Sequence, residues 1–298
     1  MRFPLLDIEE LAGTVHIGII GGSGLYALDN LAVIGAVYPY TPWGHPSDHI
    51  TICATASGTK VAFLPRHGKG HFWTPSEVPA RANLAALKRL GVRAILAFSA
   101  VGSLREEIRP GDFVLPEQII DRTKGIRPAS FFDKGIVGHV PFGDPAGVHA
   151  APARRATLIC MEGPAFSTRA ESHMYRSWGG DVINMSVLPE AKLAREAEIA
   201  YQMVCMATDY DCWREEHEAV TVETVVATMH ANKDNAKRLV EAVIPDLEVA
   251  VKDLEAPFFD KIRGAAKFAV MTAPEKVLPE AAERVRYLHP QYTYAATN

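Results

Sequence analysis

The stretch Val15-His-Ile-Gly-Ile-Ile-Gly-Gly-Ser-Gly24 joins an apolar run to a glycine-rich turn. Apolar residues that end at glycines are typical of a buried strand followed by a tight backbone turn. We therefore predict a first strand over residues 15–20, after which backbone N–H groups could hold an anion. The motif alone is weak, because it matches neither the dinucleotide-binding fingerprint nor a Walker loop, and such a turn often binds nothing.

A similar alternation of apolar runs and helical spacing continues along the chain. Strands are predicted over residues 50–55, 61–64, 93–98, 112–120, 157–161, 181–186 and 202–208, and helices over residues 76–90, 168–178, 189–200 and 221–244. Alternating strands and helices predict an α/β fold, with helices covering both faces of a mostly parallel or mixed sheet. We expect a single domain over residues 1–256, followed by a less regular tail or helix over residues 257–298.

The composition excludes several classes of protein. The 298 residues include 31 Lys and Arg against 35 Asp and Glu, a formal net charge of −4 that argues against a nucleic-acid binder or a polybasic membrane protein. No apolar run reaches the length of about 18 residues that spans a membrane, and no tight histidine spacing predicts a metal site. The four widely spaced cysteines are typical of reduced thiols. We expect a cytoplasmic protein, and leave open whether it also enters the nucleus.

Residues that could bind an anion lie at or just beyond the ends of several predicted strands, and the small residues 99–103 predict a loop after the strand over residues 93–98. The candidate anion-binding residues are Arg66, His67, Ser99, Ala100 and Ser186. Ligands of α/β sheets gather outside the carboxyl ends of the strands, so we expect these residues to converge with Ser23 on one tetrahedral anion. Taken singly, they also fit a surface ion pair, a core histidine, and helix caps or loop residues.

Two carboxylates, Asp209 and Asp211, follow the predicted strand over residues 202–208. A carboxylate accepts hydrogen bonds from an exocyclic amine, and a carboxyl group whose pKa is raised can donate a proton to a ring nitrogen. The pair could therefore bind a heterocyclic base. A solvated loop that caps the next segment is the alternative.

The ordered combination of these motifs resembles the methylthioadenosine phosphorylase family, within the purine nucleoside phosphorylases. The resemblance is carried by Gly18-Ile-Ile-Gly-Gly-Ser-Gly-Leu25, Ala207-Thr-Asp-Tyr-Asp-Cys-Trp213 and residues 66–68, 103–112, 121–123, 162–172 and 181–186, and it extends over about residues 15–244. It implies a three-layer α/β sandwich with a mixed central sheet, assembled as a homotrimer. It also implies phosphate-dependent cleavage of methylthioadenosine in methionine and purine salvage, with phosphate as a co-substrate and no cofactor or metal.

The resemblance also assigns roles to individual residues. Phosphate would be bound by Ser23, Arg66, His67, Ser99, Ala100 and Ser186. The nucleoside would contact Met185, Phe166, Val220, Val222 and Val225, and Met271 would match a C-terminal pocket residue. Asp209 and Asp211 would face the 6-amino purine. His139 would enter the 5′ pocket from a neighbouring subunit.

Two departures from the family pattern stand out. Ser23 and Ser186 replace a threonine that relatives often carry, which keeps the hydroxyl group, and the segment between His139 and Glu162 is shorter than usual near the expected subunit interface. The alternative functions are a phosphorylase of 6-oxopurine nucleosides such as inosine or guanosine, and a non-catalytic purine-binding scaffold. Without the resemblance, the valines from Val220 onward would be interpreted as ordinary core packing at a helix start.

Overall fold

The computed structural model describes residues 3–22, 25, 31–144, 156–214 and 221–295. The strands are β1 (Ile17–Gly21), β2 (Ala32–Val37), β3 (Ile50–Ala54), β4 (Lys60–Pro65), β5 (Ala94–Ser103), β6 (Phe113–Val114), β7 (Pro116–Asp121), β8 (Ala156–Cys160), β9 (Val182–Asn184) and β10 (Ala200–Asp209). The helices are α1 (Ile8–Leu11), α2 (Ala80–Leu90), α3 (Arg169–Ser177), α4 (Val187–Glu196), α5 (Val222–Ala250) and α6 (Pro279–Leu288), with 3-10 turns at Pro257–Phe259 and Pro274–Lys276. Every helix in this part of the chain is too short or too polar to cross a bilayer.

The strands form one mixed sheet, as the sequence predicted. Its order is β2-β3-β4-β1-β5-β9-β8-β7, and β10 pairs with β5 and β6. β4, β1, β5 and β10 are joined by parallel pairings, whereas β2–β3, β3–β4 and β5–β9 are antiparallel. The carboxyl ends of β1, β4, β5 and β10 therefore meet at one edge of the sheet.

β5 is longer than predicted. Residues 99–103 were expected to form a loop after a strand that ended at Phe98, but Ser99, Ala100 and Val101 pair with Cys205, Met206 and Ala207 of β10. Small residues are compatible with this pairing because the neighbouring strand supplies the backbone hydrogen bonds that define the element. The prediction of a loop at Ser99 and Ala100 was wrong, although both residues still lie towards the carboxyl end of β5.

Helices cover both faces of the sheet and complete the predicted three layers. α2 and α4 bury Leu87 and Leu193 on one face, and α5 buries Val240 on the other. Burying one such side chain contributes about 2 kcal/mol. α2 ends at Gly91, whose φ is +103° and whose absent Cβ would lie 2.6 Å from the Cα of Gly13. Only glycine therefore satisfies both the left-handed backbone and the close approach.

Two helix ends tested the sequence-based expectations. α3 starts after Thr168, where a helix was predicted to begin, with a capping box in which the Thr168 hydroxyl accepts from the Glu171 N–H and the Glu171 carboxylate accepts from the Thr168 N–H. α5 was expected to stop at Ile244, before Pro245, but it continues to Ala250. Ile244 and Val251, on either side of the proline, are both buried, and this packing offsets the roughly 3 kcal/mol that an interior proline costs.

The C-terminal segment, expected to be a less regular tail or a helix, contains helix α6. Ala281 and Val285 of α6 pack with Phe132, Ile136 and other apolar side chains in a separate buried cluster. The Tyr294 hydroxyl donates to the Ala266 carbonyl at 3.0 Å. Residues 257–295 are thus packed against the body of the protein.

Candidate active site

A cavity of about 500 Å³ opens at the carboxyl edge of the sheet, a volume suited to a small-molecule ligand. Its wall includes most of the residues that the sequence singled out, namely Arg66, His67, Ser99, Ala100, Phe166, Met185, Ser186, Asp209, Asp211 and Val225. Ser23 and Val220 lie outside the described residues, as does the side chain of Val222. The strand ends therefore bring the predicted anion-binding residues and the paired carboxylates to one cavity.

Arg66 follows β4 directly and is almost completely buried. Its Nε and Nη2 donate to the two carboxylate oxygens of Glu190, each at 2.8 Å, and Nη1 donates to the Phe98 carbonyl at 2.8 Å. Burial acts to lower the pKa of Arg66, but Glu190 more than offsets this and raises it. Nη1 and Nη2 each keep one N–H for a ligand. The alternative of a surface ion pair is wrong, because this ion pair lies in the interior.

Glu190 is a residue of the site that the sequence analysis missed. It lies on α4, is buried, and accepts a further hydrogen bond from the Tyr201 hydroxyl at 2.7 Å. The sequence did hold one indication, because Glu190 is an acidic residue among apolar residues on a predicted helix. A carboxylate is rarely buried without a partner, so this position predicts a buried ion pair.

His67 is held as a neutral ring beside Arg66. Its Nδ1 lies 2.9 Å from the Trp73 carbonyl, and the ring stacks on His71 with centroids 4.3 Å apart. Burial, assisted by the positive charge of Arg66, lowers the pKa of His67 to about 4. Because the carbonyl only accepts, Nδ1 must carry the proton, which leaves Nε2 as an acceptor.

The two serines of the predicted anion site are in direct contact. Their Oγ atoms, of Ser99 and Ser186, are 3.0 Å apart, and the Asn184 amide donates to them at 3.1 and 3.4 Å respectively. Asn184 ends β9 and was also missed, although it lies within the strand predicted over residues 181–186, two positions before Ser186. These polar atoms and the Arg66 guanidinium make one side of the cavity suitable for an oxyanion.

The carboxylates stand at the end of β10, as predicted. Asp209 accepts from the Thr208 hydroxyl at 2.7 Å and from the backbone N–H of Asp211 at 2.8 Å, and Asp211 accepts from the Ser172 hydroxyl at 2.5 Å. Burial raises the pKa of Asp209. Burial, together with the charge of Asp209, raises the pKa of Asp211 to about 6. The alternative of a solvated capping loop does not hold, since both groups are largely enclosed.

Two other predicted residues do not line this cavity. His139 is exposed and its N–H donates to the Ala269 carbonyl at 2.9 Å. Met271 is 73% exposed, and its N–H donates to the Val137 carbonyl at 2.8 Å. His139 and Met271 therefore lie on paired surface segments of the same chain. Among the described residues, no cluster of His, Cys, Asp or Glu could hold a metal ion.

Residues 16–245 match the model of the phosphorylase superfamily, a span that covers more than half of the chain. This chain belongs to the phosphorylase superfamily. The S-methyl-5′-thioadenosine phosphorylase of Yarrowia lipolytica is 55% identical to this phosphorylase, over 97% of each chain. That of Neurospora crassa is 56% identical, over 94% of this chain and 96% of its own.

Solved structures of the same family share the fold. A methylthioadenosine phosphorylase from an Antarctic soil metagenomic library superposes with a TM-score of 0.80 at 41% identity, over 93% of this phosphorylase and 99% of its own chain. The methylthioadenosine phosphorylase of Schistosoma mansoni in complex with adenine gives a TM-score of 0.78 at 32% identity, over 87% of this chain and 100% of its own.

In this phosphorylase, Arg127 supports the loops that form the cavity wall. It is buried, and its guanidinium donates to the carbonyls of Met185 at 2.7 Å, Leu188 at 2.5 Å and Glu162 at 2.7 Å. Arg127 could not be predicted from local patterns, because its partners are backbone atoms of distant segments. Burial lowers the pKa of Arg127.

Proposed function

We propose that the protein catalyses the phosphorolysis of S-methyl-5′-thioadenosine to adenine and 5-methylthioribose 1-phosphate. The observation that carries the proposal is that one cavity holds an oxyanion-binding wall at Arg66 and a pair of carboxylates at Asp209 and Asp211. This is what the reaction requires, because phosphate must attack the sugar while negative charge develops on the leaving purine. The names of the similar phosphorylases support the same substrate.

In the proposed reaction, the phosphate oxygens accept from the free N–H groups of Arg66, from the hydroxyl groups of Ser99 and Ser186, and from backbone N–H groups at Ala100 and Ser23. Neutral His67 accepts through Nε2, so it suits an oxygen of phosphate that still carries a proton. Arg66 thereby places the nucleophile beside the glycosidic carbon, and its positive charge is already paired with Glu190 before the phosphate arrives.

The carboxylates act on the opposite side of the bond that breaks. Protonated Asp209 donates to N7 of the purine as the C1′–N9 bond breaks, and Asp211 accepts from the exocyclic amine. Burial raises the pKa of Asp209 and so favours the protonated form that can donate. Phe166 and Met185 lie against the purine and the ribose.

We propose that the apolar part of the cavity wall binds the methylthio group. Val225, Val226 and Met229 line the cavity on the side of α5, and Val220 and Val222 extend the same pocket in our proposal. In such a pocket, the binding free energies of a thioether and a hydroxyl group differ by only about 1–3 kcal/mol. Adenosine should therefore be cleaved, but more slowly than methylthioadenosine.

We further propose that the protein acts as a homotrimer in which His139 of each subunit completes the 5′ pocket of a neighbour. The exposure of His139 beside the paired segment that carries Met271 supports this proposal. Sedimentation equilibrium tests it, and a monomer that cleaves substrate at full rate would contradict it.

A parallel assay tests the reaction and the substrate. Methylthioadenosine, adenosine and inosine are each incubated with the protein, with and without phosphate, and free base is measured by chromatography. We expect adenine release from methylthioadenosine only when phosphate is present. Faster release of hypoxanthine from inosine would overturn the substrate assignment, and binding of methylthioadenosine without phosphate-dependent cleavage would indicate a scaffold.

A further inference from the structure

A second cavity lies at the opposite edge of the sheet from the candidate active site. Its volume is about 340 Å³, and its wall includes His16 just before β1, Arg93 just before β5 and Glu198 just before β10. Arg93 and Ser99 are six positions apart on nearly extended backbone, which corresponds to about 20 Å at the rise of a strand. A ligand of the first cavity therefore does not reach the second.

The second cavity carries an excess of positive charge. Arg263, at its rim, is paired with Glu255 and Asp260 at 2.6 and 3.2 Å. Lys88 and Arg93 have no carboxylate within 4.0 Å among residues 3–22, 25, 31–144, 156–214 and 221–295. Within the described part of the chain, two basic side chains thus share one cavity without a direct counter-ion.

Glu198, a carboxylate in the wall of this cavity, accepts hydrogen bonds from groups other than the two cations. It accepts from the backbone N–H of Ala266 at 2.9 Å and from the Tyr292 hydroxyl at 3.1 and 3.2 Å. The charge of Glu198 raises the pKa of Lys88, but the two groups are more than 4.0 Å apart and form no ion pair. Glu198 therefore moderates the positive charge of the cavity but does not neutralise Lys88 and Arg93 by direct contact.

The two cations are positioned and partly withdrawn from water. Lys88 lies in the last turn of α2, where the partial negative charge of the helix end favours its protonated form, and Arg93 donates from Nη1 to the Val251 carbonyl. Burial lowers the pKa of both Lys88 and Arg93, so holding their charges in the wall of this cavity costs free energy. A bound anion would relieve that cost.

We propose that this second cavity binds a sugar phosphate, with the phosphate group between Lys88 and Arg93. A guanidinium and an ammonium together suit a tetrahedral dianion better than a planar carboxylate, which a guanidinium alone can hold. Glu198 and Gln291 offer partners for sugar hydroxyl groups, and the buried ring of Phe259 closes the apolar side. The cavity volume lies at the small end of the range for ligand sites, which fits a single pentose phosphate.

Calorimetric titration of the full-length protein with ribose 5-phosphate tests the proposal. Lys88→Met keeps the approximate length of the side chain but removes its charge. We expect this variant either to lose one ribose 5-phosphate site per chain or to bind ribose 5-phosphate at that site at least about tenfold more weakly. Lys276→Met, a change at an exposed lysine, is the matched control and should bind as the wild type does. Circular dichroism verifies that each variant is folded, and Arg93→Gln provides a second variant if Lys88→Met does not fold.

The cleavage assay separates this site from the first cavity. Lys88→Met should release adenine at the wild-type rate, so a lost ribose 5-phosphate site with unchanged turnover supports the proposal. Titration with inorganic phosphate alone distinguishes the free anion from the sugar phosphate, and we expect the free anion to bind the second cavity more weakly. Equal affinity for the two, or unchanged ribose 5-phosphate binding in both Lys88→Met and Arg93→Gln, would overturn the proposal.

Discussion

The guanidinium of Arg66 and the carboxylate of Glu190 form a bidentate ion pair below the candidate phosphate site, with both N···O distances at 2.8 Å and both side chains no more than 3% exposed. Two parallel hydrogen bonds fix the plane of the guanidinium, whereas one would allow it to rotate. Glu190 therefore determines which N–H groups of Arg66 remain available in the cavity.

Replacing Glu190 with Gln should impair both stability and phosphate binding. The variant leaves the charge of Arg66 buried without a counter-ion, which costs about 3–5 kcal/mol. Urea denaturation should record this loss, and steady-state kinetics should show a larger KM for phosphate. Tyr201→Phe is the matched control, because it removes only the hydrogen bond to Glu190 and should cost about 1 kcal/mol. Wild-type stability together with a wild-type KM in Glu190→Gln would refute the positioning role.

Asp211 should make the protein less stable as the pH rises from about 4 to about 6. Its pKa is about 6 in the folded protein against 3.8 ordinarily, so the folded state holds a proton that the unfolded state has already lost. The free energy of unfolding should therefore fall by up to about 3 kcal/mol across this window and stay lower above it. Subtracting the Asp211→Asn curve from that of the wild type, in urea denaturations at successive pH values, isolates this contribution. Parallel curves would contradict it.

Local patterns of the sequence predicted one class of site residue and missed another. Arg66 and Asp209 were found because each follows an apolar strand, and the carboxyl ends of parallel strands meet at one edge. Glu190 lies 124 positions from Arg66, so their pairing depends on how α4 packs against the sheet. Ser99 was placed in a loop because small residues resemble a turn, whereas its pairing with Cys205 of a distant strand decides its conformation. Long-range pairing of this kind leaves no local pattern.

His67 should stay neutral across the pH range of activity. Since its pKa is about 4, the ring should carry a proton only on Nδ1 from pH 5 to pH 8, with Nε2 unprotonated. Nitrogen-15 chemical shifts of the imidazole, assigned by comparison with His67→Asn, measure the tautomer directly. The ordinary pKa of 6.5 exceeds the folded value, so this group stabilises the fold above pH 6.5 and the contribution is lost as the pH falls towards 4. A doubly protonated ring at pH 6 would contradict the expectation.

Asp209→Asn should slow the chemical step while phosphate still binds. The amide is close to isosteric and its oxygen can still accept from the Asp211 N–H, but it has no acidic proton to give to the purine. We expect kcat to fall by about 100-fold to 10,000-fold, the usual contribution of a general acid, with a change of less than about threefold in the KM for phosphate. Asp246→Asn, at an exposed position on α5, controls for the loss of one acidic charge. An unchanged kcat would remove Asp209 from the mechanism. A KM for phosphate that rises as much as kcat falls would mean that the substitution had also disturbed the phosphate-binding side of the cavity at Arg66.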